Sequence, residues 1–183
     1  MNALTTIQLL NICPSGTKEN IERFIPHLNI LMPKYEINTI HRVRHFIAQL
    51  AHESNQFNSV TEKYNGNPKE YFKKYDSRAD LGNKFEGDGM KFKGRGLIQV
   101  TGRFNYTAAS IDIFKDETLI IKPETLEQPY YAVEISCWFW KVKHLNSLAD
   151  TDNIKAITAK INGGLNGLSN RIKFYNEAIK YIK

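Results

Sequence analysis

The chain has 183 residues, of which 42% are hydrophobic and 24% charged, and its formal net charge is +6. That length and balance suit one globular domain with a sizeable core and exclude a disordered chain. No apolar run approaches the roughly 20 residues of a membrane span, and the start MNALTTIQLLNICPSG lacks a basic n-region. Neither a membrane anchor nor a signal peptide is therefore expected.

In chain order, residues 5–13 and 18–32 read as two helices. Thr17 caps the second, and Pro26 is a place where it kinks or breaks. A longer amphipathic helix covers about 38–54. Residues 55–95 change character: glycines and Pro68 mark turns in a polar, basic, loop-rich stretch. LIQVT at 97–101 alternates and is β-branched, which reads as a short strand or extended segment. Pro129 opens an apolar helix through YYAVEISCWFWKV, and Asp152 begins another that stops at Asn162-Gly163-Gly164. The last helix, about 168–182, is basic and amphipathic; packing of its Ile, Tyr and Ala stripe is preferred to action on a membrane. The sum is a mainly α single domain over 1–183, with one irregular lobe and no linker or repeat.

The charge is unevenly spread. Residues 61–103 hold ten Lys/Arg against six Asp/Glu, so this stretch carries +4 of the total. Such a surface attracts an anionic polymer, whether nucleic acid, acidic cell-wall glycan or a membrane face. No nucleic-acid recognition motif accompanies it, so nucleic acid is not expected as a partner. Cys13 and Cys137 match no metal or redox spacing; buried reduced thiols are expected, with a disulfide left open.

Within the helix ending FIAQLAHESNQF, Val43, Phe46, Ile47, Leu50 and Ser54 share one face, and Glu53 falls at its edge. Half-shielding of a carboxyl disfavours its charged form, the condition a general acid near neutral pH requires. His41, His45 and His52 lie on the opposite face. HESNQ is not the zinc motif HExxH, because Gln56 replaces the second His, and no metal or other cofactor is expected. Nine residues after Glu53 comes Glu62, at the start of the irregular lobe. Two carboxylates facing each other across a cleft suit glycoside hydrolysis, although this spacing is common in any protein. Gly94 and Gly96 do not form a phosphate loop, since no GxxxxGK[ST] follows.

AQLAHES, DLGN at 80–83, GDGMKFKGRGLIQVTGRFNY at 87–106, WFW at 138–140 and INGGLNGLSNR at 161–171 occur in this order. Together they resemble the glycoside hydrolase family 19 chitinases, in particular their phage endolysin branch, over nearly the whole chain. The resemblance implies a lysozyme-like fold with a helical core, a small irregular or β lobe and a cleft between them. It also implies an inverting mechanism with Glu53 as general acid, Glu62 as general base and Thr101 holding the water. Gln99 and Asn105 match sugar-binding residues, while Asn162 and Arg171 match the pair that supports the carboxylates at the substrate site. An inward-facing Arg171 needs a carboxylate partner in any case.

The expected function is that of a monomeric endolysin cutting β-1,4 bonds of peptidoglycan strands, as an N-acetylmuramidase. It would be made in the host cytoplasm, released with the help of a holin and active on the periplasmic wall. A chitinase, a lytic transglycosylase and a non-catalytic glycan-binding module are the alternatives.

Overall fold

A computed structural model describes residues 2–183. Helix α1, Thr6–Ile12, starts with a reciprocal cap in which Thr5 and Gln8 each satisfy the other's backbone N–H. Helix α2, Lys18–Lys34, is capped by Thr17 as expected and runs through Pro26 without breaking. The reason is its exposed face. Pro26 and Glu22 both lie on it, so the carbonyl that the proline leaves unbonded is open to water, while Ile21, Phe24, Leu28 and Leu31 are buried. Helix α3, Ile40–Glu53, is capped by Thr39 and buries Val43, Phe46, Ile47 and Leu50 completely.

The short helices α4 (Pro68–Lys73) and α5 (Asp88–Lys91) belong to the irregular lobe. Then come α6 (Arg103–Ala109) and α7 (Thr118–Ile121), which lead to the central helix α8, Pro129–Val142. Every residue of α8 from Ala132 to Trp140 is buried, and Trp140 meets Phe46 of α3 edge-on at 5.2 Å. Helices α9 (Leu145–Asp150), α10 (Ile154–Asn162) and α11 (Leu168–Tyr181) complete the chain. Helix α10 starts two residues later than the Asp152 boundary expected from sequence, because Asn153 provides the cap.

Two pairings build the core: α11 lies along α3, and α2 along α8. The apolar stripe of the basic last helix is thus spent on α3. Glu134 of α8, only 3% exposed, receives Lys34 of α2 at 2.7 Å, which gives its buried charge a partner. Cys13 and Cys137 are buried free thiols, and burial pushes Cys13 up to about 12. Among the described residues, no helix is long and apolar enough to cross a membrane.

The irregular lobe contains no sheet. LIQVT is not a strand: it contributes only an isolated antiparallel bridge between Val100 and Arg95, and a second bridge joins Arg95 to Thr61. Gln99 sits at φ 58°, a left-handed conformation that no strand continues through. A polar network takes the sheet's place. Asp88, 3% exposed, accepts from Arg103 Nε and Nη2 at 2.9 and 2.6 Å and from the N–H groups of Lys84 and Phe85. Asn83 joins the same knot, accepting from Arg103 N and donating to Tyr75 O.

Burial alone would raise the Asp88 carboxyl, but the Arg103 guanidinium and the two backbone donors overcome it and hold it below the usual range. A carboxyl depressed in the folded state stabilises fully above its unfolded value, about 3.9, and loses that contribution as pH falls through its folded value. The lobe is therefore expected to loosen below about pH 4. Acid titration followed by hydrogen exchange should show protection lost at residues 83–103 first, and Asp88→Asn should remove that acid-dependent step.

Candidate active site

The helix that carries Glu53 ends on it, and the chain then turns in an unusual way. Ser54 Oγ donates to Leu50 O at 2.6 Å and accepts from Phe57 N at 2.8 Å. Asn55, Gln56 and Phe57 all have positive φ, at 50°, 59° and 66°. Left-handed backbone costs about 1–2 kcal/mol per non-glycine residue, so three in succession need outside support. The loop between α1 and α2 supplies it. Gln56 Oε1 accepts from Ser15 N at 2.9 Å, Asn58 Nδ2 donates to Ser15 O at 2.8 Å, and the buried Phe57 ring packs against Phe24. This corner sends the chain from Glu53 back toward Glu62.

Glu53 itself is held from α11. Arg171, 1% exposed, donates through Nη2 to Glu53 Oε1 and through Nη1 to Gln49 Oε1. Glu53 Oε2 takes no hydrogen bond from the described residues, and the side chain is 19% exposed. One oxygen is pinned and the other is free. The neighbouring pair repeats the latch: His52 Nδ1 lies 2.7 Å from Asn170 Oδ1. Gly167 lets the His52 ring approach, because a Cβ there would stand 2.4 Å from His52 Cε1.

Glu62 is held differently, by neutral donors. Tyr75 OH donates to its Oε1 at 3.1 Å and Gly94 N–H to its Oε2 at 3.2 Å, while Glu62 N donates to Gly94 O at 2.8 Å. Gly94 is the point where the motif GRGLIQVT converges. A Cβ on it would lie 2.9 Å from Gln99 Oε1, 3.3 Å from Thr101 Oγ1 and 3.4 Å from Glu62 Cβ. Two residues on, Gly96 at φ 79° presses against α8, where a Cβ would stand 2.4 Å from Ile135 Cγ2. Between the two glycines, the buried Arg95 is anchored by Glu127 Oε1 at 2.8 Å, Lys91 O at 2.8 Å and Tyr106 OH at 3.1 Å.

Glu53 and Glu62 line one open pocket of about 220 Å³, together with Asn55, Ser59, Thr61, Lys63 and Gln99. A larger cavity of about 630 Å³ lies beyond α4 and α5 and holds neither carboxylate. Size does not decide here: the small pocket has the paired acids.

No family model matches the chain. A Haemophilus influenzae protein named as a glycosyl hydrolase family 19 domain-containing protein is 33% identical over 156 residues, covering 71% of this chain and 74% of that one. The chain belongs to glycoside hydrolase family 19. It is a glycoside hydrolase, and solved family 19 chitinases share its fold. Chitinase C from Streptomyces griseus superposes with a TM-score of 0.69 at 19% identity, covering 98% of this chain and 76% of that one. A bacterial family 19 chitinase gives 0.70 at 19% identity, covering 99% and 95% of the two chains. The class IV chitinase of Zea mays gives 0.57 at 19% identity, covering 99% and 82%.

Against the roles that the family resemblance implies, the residues stand at different depths from the pocket. Glu53, Glu62 and Gln99 line the pocket, and Thr101 stands behind Gly94, its hydroxyl donating to Gln99 O at 3.0 Å. Asn105 lies one layer back, donating to Thr101 O at 2.8 Å. Arg171 is too buried to touch a sugar, so its place is behind Glu53 rather than among substrate-binding groups. Asn162, exposed at the end of α10, bonds neither carboxylate; it donates to Asn166 O at 3.1 Å and shapes the NGGLNG turn. His45 Nε2 lies 2.8 Å from Asp152 Oδ1, and His52 bonds to Asn170. Among the described residues no cluster of three His, Cys, Asp or Glu side chains is arranged to hold a metal.

Two participants lie outside the sequence-derived set. Gln49 is one helical turn before Glu53 but off the apolar face of α3, so it gives no usable signal, its burial coming from the contact with Arg171. Tyr75 gives none either, since the lobe it belongs to has no periodicity.

Arg171→Met should lower unfolding free energy by about 3 kcal/mol, the low end for a broken buried pair, because Glu53 keeps some water. It should also cut kcat by on the order of a hundredfold through misplacement of Glu53. Urea titration and steady-state kinetics check both, and Arg171→Lys should recover part of the stability. Gly94→Ala should leave the melting temperature nearly unchanged, because the Gln99 amide is able to swing away. Its kcat should nevertheless fall about tenfold or more as Gln99 and Thr101 are displaced.

Proposed function

We propose that this glycoside hydrolase cuts β-1,4 bonds of bacterial peptidoglycan as an endolysin of the N-acetylmuramidase type, by inversion. The observation that carries this reading is the pair of carboxylates, Glu53 and Glu62, lining one open pocket, with the second oxygen of Glu53 left unbonded. Glu53 donates a proton from its unbonded Oε2 to the glycosidic oxygen as the bond to the anomeric carbon breaks. Arg171 then stabilises the carboxylate left behind, through Oε1. Glu62 takes a proton from a water on the opposite face of the ring, and that water adds to the anomeric carbon. Thr101 orients the water and Gln99 holds the sugar, while Asn105 braces Thr101 through its carbonyl. No cofactor enters these steps.

Peptidoglycan is favoured by the basic character of residues 61–103, which include the Glu62 side of the pocket, since its peptide stems carry carboxylates. In this reading a monomer is made in the cytoplasm of a phage-infected host and reaches the wall after a holin opens the inner membrane. Chitin is the second reading, favoured because the structural neighbours are chitinases.

The test is digestion of purified peptidoglycan by wild type, Glu53→Gln and Glu62→Gln, with new ends reduced and identified by mass spectrometry. Reducing N-acetylmuramic acid ends from wild type alone, released with the α-anomer first by NMR, are the expected result. Activity that survives in Glu62→Gln and yields anhydro ends points to a transglycosylase. Fragments from chitin oligomers but none from peptidoglycan establish the second reading.

A further inference from the structure

Beside Glu62 lies an aromatic face of which the hydrolytic chemistry uses only the Tyr75 hydroxyl. Tyr64, 41% exposed, packs 6.2 Å from Tyr71 and 5.4 Å from the buried Phe72, which forms the floor. Tyr75 continues the cluster 6.2 Å from Phe72 and reaches Glu62 through its hydroxyl. Two ammonium groups rest on these rings. Lys74 Nζ is 3.8 Å from the Tyr71 centroid and 5.0 Å from that of Tyr75, and Lys93 Nζ is 5.6 Å from those of Tyr64 and Phe72.

The pairing of charges in the lobe is selective. Its arginines are matched: Arg78 with Asp80, Arg95 with Glu127, Arg103 with Asp88. Lys63, Lys74 and Lys93, like the other lysines of the lobe, make no salt bridge with any described residue. The guanidinium groups that brace the lobe are therefore neutralised, and among its unpaired ammonium groups Lys74 and Lys93 are set apart by resting on the aromatic face beside Glu62. Lys93 directly precedes Gly94, whose N–H holds Glu62 Oε2, so the face is continuous with the pocket.

We propose that Tyr64, Tyr71 and Tyr75 with Lys74 and Lys93 form a charge-reading extension of the cleft that binds the carboxylate-bearing stems of an acidic amino-sugar polymer. This rests on the peptidoglycan reading and names the groups that select that substrate. The C–H faces of pyranose rings stack on aromatic rings whatever the charge of the strand. The ammonium groups add attraction only where the strand carries carboxylates. A compact charge on a flexible stem follows a carboxylate that is itself mobile on a peptide. A neutral chitin chain would engage the tyrosines alone.

The test compares peptidoglycan sacculi with the same sacculi after their carboxylates are capped as methylamides. Co-sedimentation and fragment release are both read, at low and high salt, for wild type, Lys74→Gln/Lys93→Gln and Tyr64→Ala. Wild type is expected to bind the uncapped polymer about tenfold more tightly, as two solvent-accessible charge contacts allow. The double lysine variant should lose that preference and most of the salt dependence while keeping the wild-type melting temperature. Tyr64→Ala should weaken both polymers alike. The proposal is overturned if wild type shows no preference, or if the lysine variant keeps it. It is equally overturned if anionic vesicles or duplex DNA retain the protein as well as sacculi do at the same salt. Charge-dependent binding without fragment release would support the platform and sink the hydrolysis of peptidoglycan, so the two readings fail separately.

Discussion

The Arg171 guanidinium is the contact around which the molecule is arranged. It enters from α11, is shut away from water, and spends two of its nitrogens on Glu53 and Gln49 of α3. A buried cation without a carboxylate is untenable, so α11 can dock on α3 only in the register that brings the two together. The same pairing holds a carboxylate at the end of a helix, where fraying would otherwise move it. One interaction thus sets both the alignment of the two helices and the position of the proposed acid.

The second carboxylate depends on close approach rather than charge. Gly94 gives Glu62, Gln99 and Thr101 a common place to meet because it has no side chain of its own. Arg95, between the two glycines, is tied to Glu127, Lys91 and Tyr106, which keeps this meeting place fixed in the absence of a sheet. The lobe is thus rigid where it forms the site and irregular in outline, and its order comes from side-chain hydrogen bonds.

The sequence is most readable where burial repeats with helical period. The faces of α3 and α8, the Thr17 cap and the stop at Gly163 all follow from local chemistry. Glu53 shows itself at the edge of an apolar face, and an inward Arg171 announces that a carboxylate is waiting. The irregular lobe is opaque because its order comes from contacts between residues far apart, such as Arg103 with Asp88 or Gly94 with Glu62. LIQVT misleads for the same reason: its alternation suits a strand, but Gln99 is twisted into a left-handed state by what surrounds Gly94. Tyr75 is likewise placed by tertiary contacts that no periodicity encodes, whereas Asn162 is held within its own turn by Asn166 O.

The corner at Asn55–Gln56–Phe57 gives the first two helices a task remote from any sugar. Left to themselves these three residues would relax to right-handed or extended backbone, and the Ser15 clamp and the Phe24 ring join the Ser54 hydroxyl in preventing it. The N-terminal hairpin is therefore a buttress for the geometry between the carboxylates. Trimming the chain to a minimal catalytic fragment by removing residues 2–20 would spare every group in the pocket and still let its two walls drift apart.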